Sequence, residues 1–404
     1  MAAAQPVSFR PRQIGAFAAL TLLLTVGCVA QSSVPPASGS LPAATASPSL
    51  PATPTPAPTL SVPDARRLLL ISGSSGAQLP DGGFATAFWV VELDGSYRTQ
   101  IGTGLSAQWS PGGTRIYITG VGSDCKPTMT SVKPDGTDAM VLPFELRIGD
   151  GPFWWSPDGR HVAFIRYRDP VLCTHSSIGL PWEPWVMDAD GSHQHRLATD
   201  GLVSWDPGGQ KLALLRASDP NAPADSLSVV SITGAVLASL GPEPGVYYEA
   251  PAWSPDGARL AFGRTEANDW RLIVASSDLT GVVMLSPPGN ALNAGPPSWS
   301  PDASALVFSL QTPDVRNLFW IVGPDGLAPR LLSPAGVNEI NVAWSPSGSL
   351  LAVARDGAAP DGVSPGILVL DQGGATLAGL GAGQDPRWQP ELQPLLDALS
   401  SPGP

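Results

Sequence analysis

Seven tryptophans, Trp109, Trp155, Trp205, Trp253, Trp299, Trp344 and Trp388, recur at intervals of 46, 50, 48, 46, 45 and 44 residues. Each is followed two positions later by proline. A period of this length is the mark of one small structural unit used again and again, each copy burying its apolar face only against its neighbours. The chain is therefore an array of similar blocks.

What each block is follows from its best-preserved copies. These read Trp155-Ser156-Pro157-Asp158-Gly159-Arg160-His161-Val162-Ala163-Phe164 and Trp253-Ser254-Pro255-Asp256-Gly257-Ala258-Arg259-Leu260-Ala261-Phe262. Asp-Gly supplies the positive φ of a tight reversal, and the short apolar run after it reads as a buried strand. Other copies are degraded, with Asp206 for Ser, Gly112 and Gly208 for Asp, and Ala303 for Gly. About 20 to 30 residues on, each block carries another strand with its own Gly turn, such as Val90 to Gly95 or Val186 to Gly191, and a further apolar stretch follows. Four antiparallel strands per block predict propeller blades around an axis. The 44 Gly and 45 Pro residues agree, since so many helix breakers exclude a helical or coiled-coil chain.

The string Trp-Ser-Pro-Asp-Gly-x-x-Leu-Ala-Phe resembles the signature of the TolB-like, WD-repeat-like β-propellers, from residue 66 to about 390. Six blades are usual for TolB itself; seven Trp-x-Pro signals predict seven here. The expected fold is thus all-β, a seven-bladed β-propeller of four-stranded antiparallel blades. Trp388-Gln389-Pro390 starts a unit that has no continuation, while Arg67 to Ser72 and Phe88 to Ile101 read as strands with no Trp-Ser-Pro strand before them. Closure is therefore expected by pairing of the N- and C-terminal strands. The seven tryptophans are expected to pack in the seams between blades.

Ahead of the array, Arg10 and Arg12 precede an apolar run from Ile14 to Val26, too short to span a bilayer comfortably. The run ends Leu24-Thr25-Val26-Gly27-Cys28, which resembles a bacterial lipobox. That resemblance implies a signal peptide over 1–27 and a lipid on Cys28, with Thr25 the departure from the pattern and a cleaved, secreted form the alternative. Residues 29 to 63 hold no charged side chain and nine prolines, so 28–63 reads as a disordered tether, 64–392 as the propeller and 393–404 as a tail. Cys125 lies 16 residues after Trp109 and Cys173 lies 18 after Trp155. In an exported protein these equivalent places favour a disulfide, two free thiols being the alternative.

In this strand order, the connections between second and third strands and between blades share one end of the propeller. There the sequence places Asp150, Arg166, Arg168, Asp169, His175, Trp182, Trp185, Tyr247, Tyr248 and Trp270. Arginines and rigid aromatics on a stiff scaffold form a candidate binding face; the bland alternative is that the tryptophans cover a small core of their own. Catalytic signals are thin. His193-Gln194-His195 is the only close histidine pair, Gly73-Ser74-Ser75-Gly76 lacks the nucleophile-elbow spacing, and no cofactor or metal is expected. The net charge of −12 argues against nucleic acid. The expected function is non-catalytic: binding or scaffolding of an envelope protein, peptide or polymer, with the membrane met only through the lipid. The alternatives are an enzyme of the lyase, cyclase or lactonase type with a site at the channel mouth, or a carbohydrate-binding propeller.

Overall fold

The computed structural model describes residues 68–78, 84–167, 182–197, 202–217, 223–267, 269–285, 295–311, 316–327, 329–332, 338–356 and 365–391. Cys28, the tether, Arg168, Asp169, Cys173 and His175 lie outside them, as does the side chain of Trp182. The described residues form seven four-stranded antiparallel sheets and no helix. Blade I combines Gln384–Trp388 with Leu68–Gln78, Phe84–Glu92 and Arg98–Gly104, in that order across the sheet. Blades II to VII follow the chain, and their first strands are Ser106–Trp109, Asp150–Trp155, Leu202–Trp205, Val246–Trp253, Ser298–Trp299 and Asn338–Trp344.

The expected closure is present. Leu69 faces Trp388, Leu70 faces Arg387 and Ser72 faces Gln384 across antiparallel strands, and the Gln389 N–H donates to the Leu68 carbonyl at 2.9 Å. The two ends of the array thereby share a blade, and the edge of Leu68–Gln78 is covered.

The repeat motif forms the hairpin between first and second strands. Ser156 Oγ accepts from the His161 N–H at 2.9 Å and donates to Asp158 Oδ1 at 2.6 Å, while that carboxylate accepts from the Arg160 N–H at 3.1 Å. Ser254–Asp256 and Ser300–Asp302 repeat the arrangement. In blade IV Asp206 does the serine's work alone, accepting from Gln210 N and Lys211 N. Motif serines Ser110, Ser156, Ser254, Ser300 and Ser345 are fully buried or nearly so, which explains a small hydroxyl at a turn: it satisfies main-chain donors that water does not reach. Ala303, which stands where other copies have Gly, keeps the left-handed turn with φ 58°.

The second strands carry the longest buried runs, as in Val162 to Arg166 and Leu350 to Arg355, although in blade I the run is only Leu69 to Ile71. The clusters so formed join one blade to the next: Ala213, Leu215 and Val229 of blade IV pack with Trp253, Leu260 and Phe262 of blade V. The core is a series of seams, as expected for blades that cannot stand alone.

Candidate functional site

Six of the seven motif indoles do the same thing. Trp109, Trp205, Trp253, Trp299, Trp344 and Trp388 donate Nε1–H to the carbonyls of Arg387, Trp154, Ser204, Ala252, Ser298 and Ala343, at 2.9 to 3.2 Å. Every acceptor is the residue just before the motif tryptophan of the preceding blade. The links form a belt near the hairpin end of the first strands. The seventh would run from Trp155 to the Gln108 carbonyl, and it is missing: Trp155 Nε1 is buried and has no hydrogen-bond partner among the described residues.

The cause is one residue. Eight positions after each motif tryptophan, the second strand presents a side chain to the tryptophan of the next blade. That side chain is Ala163, Ala213, Ala261, Val307 and Ala352 in blades III to VII, and Leu70 takes the place in blade I. In blade II it is Tyr117, whose ring stacks on Trp155 with centroids 4.4 Å apart and 20° between planes. An aromatic ring in the seam moves the indole out of the register its six equivalents share. Across this seam Gln108 Nε2 instead donates to the Phe153 carbonyl at 3.2 Å.

A cavity of about 460 Å³ opens here, at the inner ends of blades I, II and III. Its lining includes Gln108, Trp109, Trp155, Arg387, Trp388 and Pro390. The three indoles are only 7 to 8% exposed, so the reachable surface belongs to Pro111, Pro157, Pro390, Gln108 and the exposed Arg387. Arg387 is held by Asp385 at 2.8 Å. The lining carries no carboxylate, histidine or cysteine. Such a surface recognises apolar groups and hydrogen-bond acceptors and offers no general acid or base. The binding face expected from the sequence lies at the opposite end of the propeller; the sequence signal for this site is tyrosine at Tyr117, where the other motif copies have alanine or valine.

The belt yields a graded expectation for stability. Replacing any of the six linked tryptophans by phenylalanine removes a hydrogen bond as well as ring volume, whereas Trp155→Phe removes volume and an unmet donor. The six losses are expected to exceed that of Trp155→Phe by about 1 kcal/mol in urea unfolding. Equal losses at all seven positions would mean that the links carry no net stability.

At the other end, four of the six described side chains of the expected binding face, Asp150, Arg166, Tyr248 and Trp270, are taken into the seams. Asp150 and Arg166 form a buried bidentate ion pair, Nε to Oδ1 at 2.7 Å and Nη2 to Oδ2 at 2.8 Å. The guanidinium lies over the rings of Trp185, at 4.3 Å, and Phe164, at 5.1 Å, and donates to Gln194 Oε1 at 3.0 Å. Tyr248 and Trp270 are 2% and 5% exposed and pack between blades, Trp270 against Phe308 of blade VI. Trp185 and Tyr247 remain half-exposed. A second pair, Glu339 with Arg355 at 3.1 Å, sits in the same register in blade VII. Five residues before the motif tryptophan and eleven after it is the rule for both pairs, a spacing visible in the sequence.

Glu249 breaks this rule. It faces Gly263 across the strands of blade V, on the side turned to blade VI, and no ion pair among the described residues reaches it. A Cβ on Gly263 would come within 2.7 Å of Trp270 Nε1 and 3.3 Å of Glu249 Cβ, so glycine is required for the indole to sit there. Burial pushes the Glu249 carboxyl above its ordinary pKa, and the Trp270 indole offsets this in part. With the folded value raised, the stability this group contributes is complete below the unfolded value near 4.3 and is lost as pH rises through the folded one. Glu249→Gln is therefore expected to raise the urea midpoint at pH 7 and to leave it unchanged at pH 3.5. No difference at pH 7 would overturn this.

His193 Nδ1 lies 2.7 Å from Asp188 Oδ2, and the ring nitrogens of His195 lie 3.0 and 2.8 Å from the His193 and Ile232 carbonyls. Both rings are used locally, and among the described residues no group of three His, Cys, Asp or Glu side chains is placed to hold a metal ion. Cys125 is disulfide-bonded, and its partner lies outside the described residues.

These blades define a closed seven-bladed β-propeller, the architecture that the repeat motif implied. Among solved structures, the chain is similar to a puromycin-hydrolyzing peptidase of Mycobacterium tuberculosis, with 16% identity, 81% of this chain and 56% of that chain covered, and a TM-score of 0.56. It is also similar to oligogalacturonate lyase of Vibrio parahaemolyticus, with 12% identity, coverage of 75% and 91%, and a TM-score of 0.55. TolB of Acinetobacter baumannii matches at 13% identity, coverage of 81% and 67%, and a TM-score of 0.48. At these identities what is shared is the fold. No protein-family model and no curated protein matches the chain.

Proposed function

We propose that the protein is an exported binding module, held at the cell membrane by a lipid on Cys28 and a proline-rich tether, that takes a segment of an envelope protein at the cavity of blades I to III. The observation that supports this reading is the open cavity itself, about 460 Å³, with prolines on its reachable surface, an amide and a guanidinium at its rim and no carboxylate, histidine or cysteine in its lining. An open surface of this kind suits a partner that offers apolar groups and carbonyl oxygens. A Cys125–Cys173 disulfide would tie together the second-to-third-strand connections of blades II and III.

The test compares wild type, Cys28→Ala and Arg387→Glu in membranes of the native host, by fractionation and co-purification. Wild type is expected at the membrane with a reproducible protein partner, Cys28→Ala in the released fraction, and Arg387→Glu at the membrane without the partner. Release of wild type overturns the anchor. Retention of the partner by Arg387→Glu overturns the site.

A further inference from the structure

We infer that Trp155 is the anchoring donor of this cavity, and that an extended peptide binds there by giving a main-chain carbonyl to its indole N–H, completing the belt between blades II and III from outside. The inference rests on the cavity being the binding site, and it names what the site selects.

The argument starts from the six intact links. In each, an indole N–H at a seam meets a main-chain carbonyl, so the chemistry of the missing partner is specified six times over by the molecule itself. At the seventh seam the donor is still present. Trp155 is 7% exposed and its Nε1 is buried without a hydrogen-bond partner among the described residues, so the ligand carbonyl meets it as the ring turns toward the cavity. A buried donor left unmet costs free energy that any correctly placed acceptor recovers, which makes the position selective for carbonyl-bearing ligands.

The same tryptophan lines the cavity, as does Gln108, whose carbonyl its equivalents would have used. An extended peptide fits these facts better than a sugar does. Its carbonyls are free of internal hydrogen bonds, and its side chains meet a rim of prolines. A sugar offers hydroxyls, whereas all six intact links use a carbonyl. Tyr117 is the positioning residue, since its ring fills the space into which Trp155 would otherwise turn.

The experiment uses the mature chain, uniformly labelled with 15N, and the probe acetyl-Pro-Ala-Pro-amide. The Trp155 indole resonance is assigned by its absence in Trp155→Phe. On titration that resonance is expected to move downfield and saturate, with its solvent exchange slowed at least tenfold, while the indole resonances of Trp205, Trp253, Trp299 and Trp344, which do not line the cavity, stay in place. Trp155→Phe is expected to weaken the probe at least tenfold, read at the Arg387 and Gln108 side-chain signals. Tyr117→Ala, which frees Trp155 to reach the Gln108 carbonyl, is expected to do the same. Equal binding to wild type and Trp155→Phe overturns the anchoring role and leaves the cavity as the site. Absence of any shift at the rim overturns both.

Discussion

Asp150→Ala is expected to destabilise the protein by about 3–5 kcal/mol, the cost of stranding a buried guanidinium. Arg166 is 6% exposed, stacked on Trp185 and enclosed by Phe164, so its charge has no route to water once its carboxylate is gone. The carboxylate also accepts from the Arg147 N–H at 2.8 Å, which holds the chain as it enters blade III. Charge rather than packing is the cause if Asp150→Leu combined with Arg166→Met recovers most of the loss, because a buried ion pair replaced whole by apolar groups costs little. Urea unfolding of the single and double variants decides this. A double variant no more stable than Asp150→Ala would place the cost in packing.

The second large effect concerns closure. A chain ending at Gly383 lacks the strand that pairs with Leu69, Leu70 and Ser72, and it lacks Trp388, which packs with Leu69, Ile71 and Ala352. It also loses the carbonyl of Arg387 and the indole of Trp388, so two belt links go together. Blade I is left with an open inner edge beside an unfilled seam. Such a chain is expected to show no cooperative unfolding transition and to precipitate as it is warmed, whereas Trp388→Ala alone costs about 3–5 kcal/mol and still folds. A truncated chain that unfolds cooperatively with near-wild-type stability would mean that the terminal strand is dispensable.

The architecture was legible because its signals are local and repeated. Trp-x-Pro marks the end of each first strand, Asp-Gly marks each hairpin, and the mismatch between the ends of the array pointed to the pairing of Gln384–Trp388 with Leu68–Gln78. The candidate site was less so. Arginines and aromatics near the second-to-third-strand connections look like a recognition surface in one dimension. Asp150, Arg166, Tyr248 and Trp270 are instead consumed in seams, and strand register decides that. A single-residue shift puts Glu249, rather than a partner for Arg264, on the side facing blade VI, and composition gives no hint of it. The cavity came from the opposite kind of signal, an exception within a regular pattern. Tyr117 is unremarkable until it is aligned with Ala163, Ala213 and Ala261.

The belt also has a direction, since each of the six linked indoles points its proton backward to the preceding blade. A ring linked in this way has no seam that marks where translation begins. The Gln389 N–H already bonds the Leu68 carbonyl, so the two chain ends meet side by side. Joined by a short linker from Glu391 to Leu68 and reopened between Leu142 and Gly149, the polypeptide would keep all six links, because the cut falls at the seam that has none. Circular order, rather than the position of the ends, is what this sequence encodes.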